Sequence, residues 1–427
     1  MSNEAWLKEH HSQIEERDVK AALKSDKGDG AQLVSWTIVD FTQKGDNYAT
    51  VVTSVEVTYT LKGKEGNVTY VVKICPLRGM GSMKALQVVF FQKETLIYKQ
   101  IAPLLNETLA KHGLEPLSIP KFYYNSDERG RELIFLEDLR PRGFKMVDRK
   151  VGMDAKHSVL VIESLARFHG ASLLLTENLS FEDLLEKYPV LKLDWHNFNE
   201  EAAEILGEMF EPCMQTTAEL LQSVGEYCRA EKWLLESKGV IQEKLGRLLD
   251  TKDPYRVLCH GDCWNNNVLF RYDEEGNPVE VMLVDLQVSR VSSFATDLNY
   301  FLMTSLTGEV RQENEHLFLK AYTEKLASLM SSAGKKNNKK KTPFTFDEIL
   351  GEYRRKHEYG LIFAVMIVFI IVAPREEIPD FHDMQEEDIP KVVEEMKEKS
   401  IKMIKTNPLF KSRFLATFDY MSDKGIF

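Results

Sequence analysis

The sequence predicts an α+β architecture in two lobes, a small β-rich N-terminal lobe with one helix and a larger helical C-terminal lobe. Three observations carry this. The chain has 427 residues, more than one hydrophobic core usually serves. Up to Leu139 the apolar residues cluster in short runs rich in β-branched and aromatic side chains, the composition of strands. Beyond it, apolar residues recur at helical spacing in long segments. The boundary is set at 1–139 and 140–427.

In the first lobe TIVDF (37–41), ATVVTSVEVTYTL (49–61) and NVTYVVKIC (67–75) read as strands. KGKEGN (62–67) joins the last two as a turn, so they are expected to form a hairpin. From 88 to 105 the residues Val88, Phe91, Leu96, Ile97, Ile101 and Leu104 follow a helical period. KFYYNS (121–126) and ELIFLEDL (132–139), split by DERG (127–130), complete the strands.

In the second lobe SVLVIESLARFHGASLLL (158–175) reads as a long apolar helix, followed by helical stretches at 200–235 and 239–249. Two short strands, VLF (268–270) and VMLVDL (281–286), interrupt the helical pattern, which resumes near 296. GKKNNKKKT (334–342) reads as a solvated loop. The longest apolar run, LIFAVMIVFIIVA (361–373), falls short of the roughly 20 residues a bilayer-spanning helix needs, and reads as a core helix.

Composition excludes several classes. With 55 basic against 66 acidic residues the net charge is −11, a poor match to nucleic-acid phosphates or anionic headgroups. The five cysteines form no disulfide-framework spacing. MSNEAWLKEHHSQIEERD at the start lacks the apolar stretch of a signal peptide. The expectation is a cytoplasmic protein with no nucleic-acid partner and no membrane span.

Five elements bear on chemistry, each ordinary alone. Lys73 lies within the apolar run YVVKI; a lone strand lysine is commonly an edge or solvent-facing residue. Glu94 lies on the helix that follows and could turn inward to hold the lysine toward an anion. His260-Gly261-Asp262, with Asn267 five residues past the aspartate, matches the interval of the phosphotransfer loop H-R-D-x-x-x-x-N, with Gly261 in place of arginine. That interval lets Asp262 approach an acceptor hydroxyl while Asn267 reaches back to a cation from the far end of one tight loop. Asp285 closes an apolar strand, where a carboxylate can bridge a cation to phosphates. GDNYAT (45–50) could lie over phosphates through backbone N–H groups and the Thr50 hydroxyl, or be an ordinary hairpin turn, since it lacks a glycine-rich pattern. Their order, each on the element type the chemistry wants, points to phosphoryl transfer from a nucleotide.

These residues carry a resemblance. HGDCWNNNVLF, LVDLQVSR with Asp285 and Gln287, LEDL with Glu137 and Asp138, LARFHG with Leu165 and His169, FQKETLIY with Glu94 and Tyr98, and TDLNYFL with Asp297 resemble the ecdysteroid kinase-like (CHK kinase-like) family. That family lies within the choline kinase and aminoglycoside phosphotransferase group of protein-kinase-like folds. The likeness runs from about 39 to 371. It implies ATP between the lobes with Mg²⁺ as cofactor, and a small-molecule alcohol as substrate: an ecdysteroid or a similar lipophilic or xenobiotic alcohol. It implies Asp262 as catalytic base, and Asn267 and Asp285 as metal ligands. Lys73 with Glu94 would position phosphate, with Gly45 and Thr50 over the nucleotide and the Glu137–Leu139 backbone as the adenine hinge. Asp297 would brace the catalytic loop.

Other readings of the same residues are an inactive kinase-like protein that holds a lipophilic ligand, and a protein kinase, against which stand the HGD loop and the absence of A-P-E after Asp285. Zinc at Cys259, His260 and Cys263 lacks a second ligand pair, and the two cysteines lack C-x-x-C spacing for redox work. His260 reads as architectural, Trp264 as packing rather than a ligand platform, and Tyr300 and Phe301, on the helix after Asp297, as core packing in preference to acceptor-pocket residues.

Overall fold

The computed structural model describes residues 3–40, 51–75, 81–194, 196–334, 343–374, 378 and 389–427. The 45–50 turn and most of the lysine-rich 334–342 stretch lie outside the described residues.

Among the described residues a five-stranded antiparallel sheet forms the first lobe, in the order β1-β2-β3-β5-β4. Its strands are β1 (Ala31–Val39), β2 (Val51–Leu61), β3 (Lys64–Ile74), β4 (Phe122–Ser126) and β5 (Leu133–Glu137). The β2–β3 turn is tighter than the sequence suggested. Lys62 and Gly63 both take positive φ, 52° and 76°, which closes a two-residue hairpin whose twist matches the strands. Strand alternation then sorts the faces. Val72 and Ile74 enter a core with Val55, Leu133 and Phe135, while Val71 and Lys73 face the opposite way.

Two helices that the sequence reading did not identify, α1 (Asn3–His11) and α2 (Glu16–Lys27), precede the sheet. Val19, Ala22 and Leu23 of α2 cover its core face, and buried Asp18 receives Arg131 at 2.6 Å. The helix expected at 88–105 is longer: α3 (Gly81–Leu96), a π turn (Ile97–Ile101) and α4 (Ala102–Lys111). The widened turn precedes Pro103, which has no N–H to give the ladder.

The second lobe holds α5 (Ala155–Leu175), α6 (Phe181–Lys187), α7 (Glu200–Val224), α8 (Cys228–Ser237) and α9 (Ile241–Leu248). The stretch read as one helix over 200–235 breaks at Gly225, whose φ is 88°. Two small ladders follow, β6 (Arg256–Cys259) with β9 (Arg290–Ser293), and β7 (Val268–Tyr272) with β8 (Pro278–Leu283). Then come α10 (Phe294–Ser305), α11 (Gly308–Gly334), α12 (Phe346–Arg355), α13 (His357–Val372), α14 (Ile389–Thr406) and α15 (Pro408–Asp423). Most of the apolar run of α13 is buried in the helical core beside Tyr300 and Phe418. α5 is long and apolar enough to cross a membrane, and 72% of its apolar window is buried inside the protein.

The fold is thus α+β and two-lobed. A cleft between the lobes is lined by Val71 and Lys73 of β3, Glu94 of α3 and Leu269 of β7.

Candidate functional site

Lys73 reaches the site because residues of odd number on β3 face the cleft. Its Nζ lies 2.5 Å from Glu94 Oε2 and 2.8 Å from Asp285 Oδ1. Glu94 is fully buried, and its other oxygen accepts the Leu286 N–H at 3.3 Å. One ammonium therefore serves two carboxylates. Burial pulls Lys73 down, but the charges of Asp285 and Glu94 outweigh it and raise the group. Burial pushes Glu94 up to about 7, with Lys73 opposing and Asp285 adding to the rise.

Asp285 does not close the strand as the sequence suggested. β8 ends at Leu283 and Asp285 sits two residues on, with φ 65°. A non-glycine residue in this region is costly, although aspartate tolerates it better than most. The bend turns the carboxylate toward Lys73. Val284, just before it, is tied to the 260–267 loop on both sides: its N–H donates to Asn267 O at 3.0 Å, and its carbonyl contacts His260 Nε2 at 3.0 Å.

In that loop Asn267 Nδ2 donates to the Asp262 carbonyl at 2.8 Å and to Asp262 Oδ2 at 2.9 Å. This use of the amide nitrogen leaves Asn267 Oδ1 as the available acceptor. Asp262 Oδ1 accepts the Tyr300 hydroxyl at 2.6 Å. Burial and the Asp285 charge push Asp262 up to about 7, against the hydrogen bonds from Tyr300 and Asn267. The residue nevertheless keeps an edge open to the solvent.

The loop is braced from behind. Asp297 on α10 accepts the N–H groups of His260 at 2.7 Å and Gly261 at 2.9 Å, and contacts His169 Nε2 at 3.0 Å. Burial opposes its charge, but His169 and these N–H groups hold Asp297 below the usual carboxylate range. His169, Cys259 and Asp297 lie close enough to invite a metal reading. Their atoms already answer one another and the backbone, with Cys259 Sγ 3.4 Å from the carbonyls of Ser292 and Ser293. Burial raises the thiols of Cys259 and Cys263, so both are packed, unreactive groups.

Gly261 has a definite reason. Its φ is 87°, and a Cβ there would fall 2.2 Å from Val288 O. Beside it Arg290, buried on β9, binds Asp194 at 2.9 Å, reaches Gly261 O at 3.4 Å and donates to the Tyr359 hydroxyl. A guanidinium thus reaches the loop at Gly261 from the neighbouring strand.

A cavity of about 210 Å³ brings together Lys73, Glu94, Glu137, Leu139, Asn267 and Asp285, between apolar walls that include Val52, Val71, Leu136 and Leu269. Asp262 stands one hydrogen bond behind that wall, through Asn267. The Glu137 side chain is engaged by the Lys121 N–H and by Arg142, and its own N–H donates to Lys121 O at 2.8 Å, which leaves its carbonyl for a hinge role. Gly45 and Thr50 lie outside the described residues. Larger surface hollows of about 900 and 770 Å³ lie elsewhere and hold neither Lys73 nor Asp285. Sequence reasoning missed Tyr300, Arg290 and Asp194 as parts of the site. Tyr300 had one available signal, its place one helical turn after Asp297.

A β-sheet lobe with an inward helix glutamate, joined to a helical lobe bearing the HGD loop, defines a small-molecule-kinase-like fold. The chain belongs to the ecdysteroid kinase-like family, whose sequence model matches residues 44–335. It is 29% identical over 128 residues to the uncharacterized oxidoreductase dhs-27 of Caenorhabditis elegans, a match that takes in 28% of this chain and 15% of that protein's length. Among solved structures it is similar to a Plasmodium vivax ethanolamine kinase, at 11% identity and a TM-score of 0.35 over 91% of this chain and 85% of that one. It is also similar to the GDP complex of wild-type aminoglycoside 2'-phosphotransferase-IIIa, at 11% identity and a TM-score of 0.32 over 90% and 99%.

Proposed function

We propose that the protein is an ATP- and Mg²⁺-dependent small-molecule kinase that phosphorylates a hydroxyl group of an ecdysteroid or a similar lipophilic alcohol. The observation that carries the reading is the meeting of Lys73, Glu94, Asp285 and Asn267 on one cleft, with Asp262 hydrogen-bonded behind it. The cluster fits a divalent cation and a polyphosphate. Glu94 and Asp285 share the one ammonium of Lys73 while Asp262 is held by Tyr300 and Asn267, and the charge of Asp285 raises both of the other carboxyls. An excess of buried negative charge beside an available amide oxygen is the donor set a hard cation takes.

Asp285 and Asn267 would hold Mg²⁺, which neutralises phosphate charge and orients the transferred group. Lys73, held by Glu94, contacts phosphate oxygens. The backbone at Glu137 and Leu139 would receive the adenine between the apolar walls, and the family resemblance alone assigns Gly45 and Thr50 to the phosphates. Residues 1–139 serve as the nucleotide lobe and 140–427 as the catalytic and acceptor lobe. Asp262 orients the acceptor hydroxyl and takes its proton. As a base it needs its charged form, which a cation on Asp285 would favour by offsetting the charge that raises Asp262. Most of the catalysis is positioning and charge neutralisation. The cysteines form no disulfide among the described residues, which suits the reducing cytoplasm.

The test compares wild type with Asp262→Asn for Mg²⁺-dependent ADP release over a panel of sterols, amino alcohols and plant phenolics. A loss of at least a hundredfold in the variant is expected, on the order of what a general base contributes. Equal turnover in both proteins removes Asp262 from the chemistry.

A further inference from the structure

α10 reads the catalytic loop at three successive residues. Asp297 takes the backbone N–H groups of His260 and Gly261. One helical turn later, Tyr300 donates its hydroxyl to the side chain of Asp262 at 2.6 Å. Residues three apart on a helix share a face, so one rigid element fixes both the loop backbone and its carboxylate. The Tyr300 ring is held in turn by Phe363, with ring centroids 5.2 Å apart, and by Tyr359 at 6.4 Å. The residue is 3% exposed, so the phenol has little freedom to swing away.

Each oxygen of Asp262 is thereby held by its own donor. Oδ2 is held by the Asn267 amide, on the side of the proposed cation. Oδ1 is held by Tyr300, and each carboxylate oxygen keeps a second lone pair. We propose that Tyr300 is a positioning residue that, opposite Asn267, fixes the plane of the Asp262 carboxylate toward the acceptor hydroxyl. The inference rests on the kinase reading above. In the step it serves, the acceptor O–H bond breaks and its proton passes to the Asp262 carboxylate. The freed oxygen bonds the γ-phosphorus, the bond from that phosphorus to the β,γ-bridging oxygen breaks, and ADP leaves. Tyr300 keeps its own proton throughout. Without its hydroxyl the carboxylate is held on one side only and rotates about its terminal torsion, a broad and soft degree of freedom.

The experiment uses the full chain and Tyr300→Phe, which keeps the ring packing and removes one oxygen. Turnover is followed with Mg-ATP and whichever panel alcohol gives the fastest ADP release in wild type. The expected result is a fall in kcat of about ten- to a hundredfold, the effect of losing a hydrogen bond to a charged group. KM and calorimetric affinity for Mg-ATP stay within twofold, because Lys73, Asn267 and Asp285 are untouched. A kcat within twofold of wild type overturns the proposal, as does a loss shared equally by nucleotide affinity, which marks general damage. Failure of the kinase reading shows separately, as no Mg²⁺-dependent turnover in wild type with any panel alcohol. Crystal structures of both proteins then decide the positioning claim: a rotated Asp262 carboxylate in Tyr300→Phe sustains it, and an unmoved one overturns it.

Discussion

Gly261→Ala puts the packing of the catalytic loop to the test. Two costs add. The first is conformational: Gly261 has φ 87°, a region that costs an L-residue about 1–2 kcal/mol. The second is steric. The new Cβ would lie 2.2 Å from Val288 O and 2.8 Å from Val288 C, whereas contacts become ordinary only from 3.4 Å. The loop and the 286–290 segment must part by about 1 Å, and backbone cannot yield as a flexible side chain does. That segment is pinned by Ser289 N–H to Leu286 O at 3.2 Å, Ser289 Oγ to His260 O at 3.3 Å, and the pairing of Arg290 with Cys259. Overpacking of this kind costs about 1–3 kcal/mol, so the total is about 2–5 kcal/mol. Gly276→Ala is the control. Its φ is 81° with nothing within 4 Å of the added Cβ, so it carries the conformational cost alone. Urea midpoints read by tryptophan fluorescence should fall for both variants, and clearly further for Gly261→Ala. Because Asp262 is the next residue, turnover in that variant should drop about a hundredfold, the cost of a misplacement of about 1 Å. Equal midpoints for the two variants, or undiminished turnover in Gly261→Ala, would refute the claim that the loop is held by this close approach.

Two further predictions concern charge. Asp285→Asn keeps a residue that tolerates positive φ and leaves Lys73 paired with Glu94. Calorimetry should show Mg-ATP affinity reduced at least tenfold with the urea midpoint nearly unchanged, and full retention of affinity would remove Asp285 from the cation site. His357 is 1% exposed, contacts Asn299 Oδ1 at 2.9 Å, and is pushed down to about 4, chiefly by burial. Its unfolded value is about 6.5, so the unfolded chain binds the proton more readily between those limits. Stability linked to this ring is fully present above about 6.5 and is lost as pH falls toward about 4, by about 3 kcal/mol. His357→Gln should flatten that part of a urea-midpoint profile taken from pH 4 to 7, and an unchanged slope would place the titration elsewhere.

Much of the site was legible in the chain because its chemistry depends on local intervals. Asp262 and Asn267 lie five apart because one tight loop must present both, and the structure joins them at 2.9 Å. Lys73 on a strand and Glu94 on the next helix could be paired on paper because adjacent elements usually touch. The N-terminal helices were not legible, since ERDVKAALKSDK offers only a narrow apolar face. Nor was the left-handed bend at Asp285, because an apolar run gives no sign of where its ladder stops.

The sequence by itself determined the alternation that points Lys73 away from the sheet core, the helical period that carries Glu94, and the spacing of the HGD loop. All of these follow from backbone geometry over a few residues. Tertiary structure alone decided that Asp194, 96 positions from Arg290, neutralises it, that Val288 crowds Gly261, and that the Tyr300 hydroxyl lands on Asp262. A ring reads as core from its neighbours in sequence. The partner of its one polar atom depends on which distant loop the packed helix meets, and no local pattern encodes that.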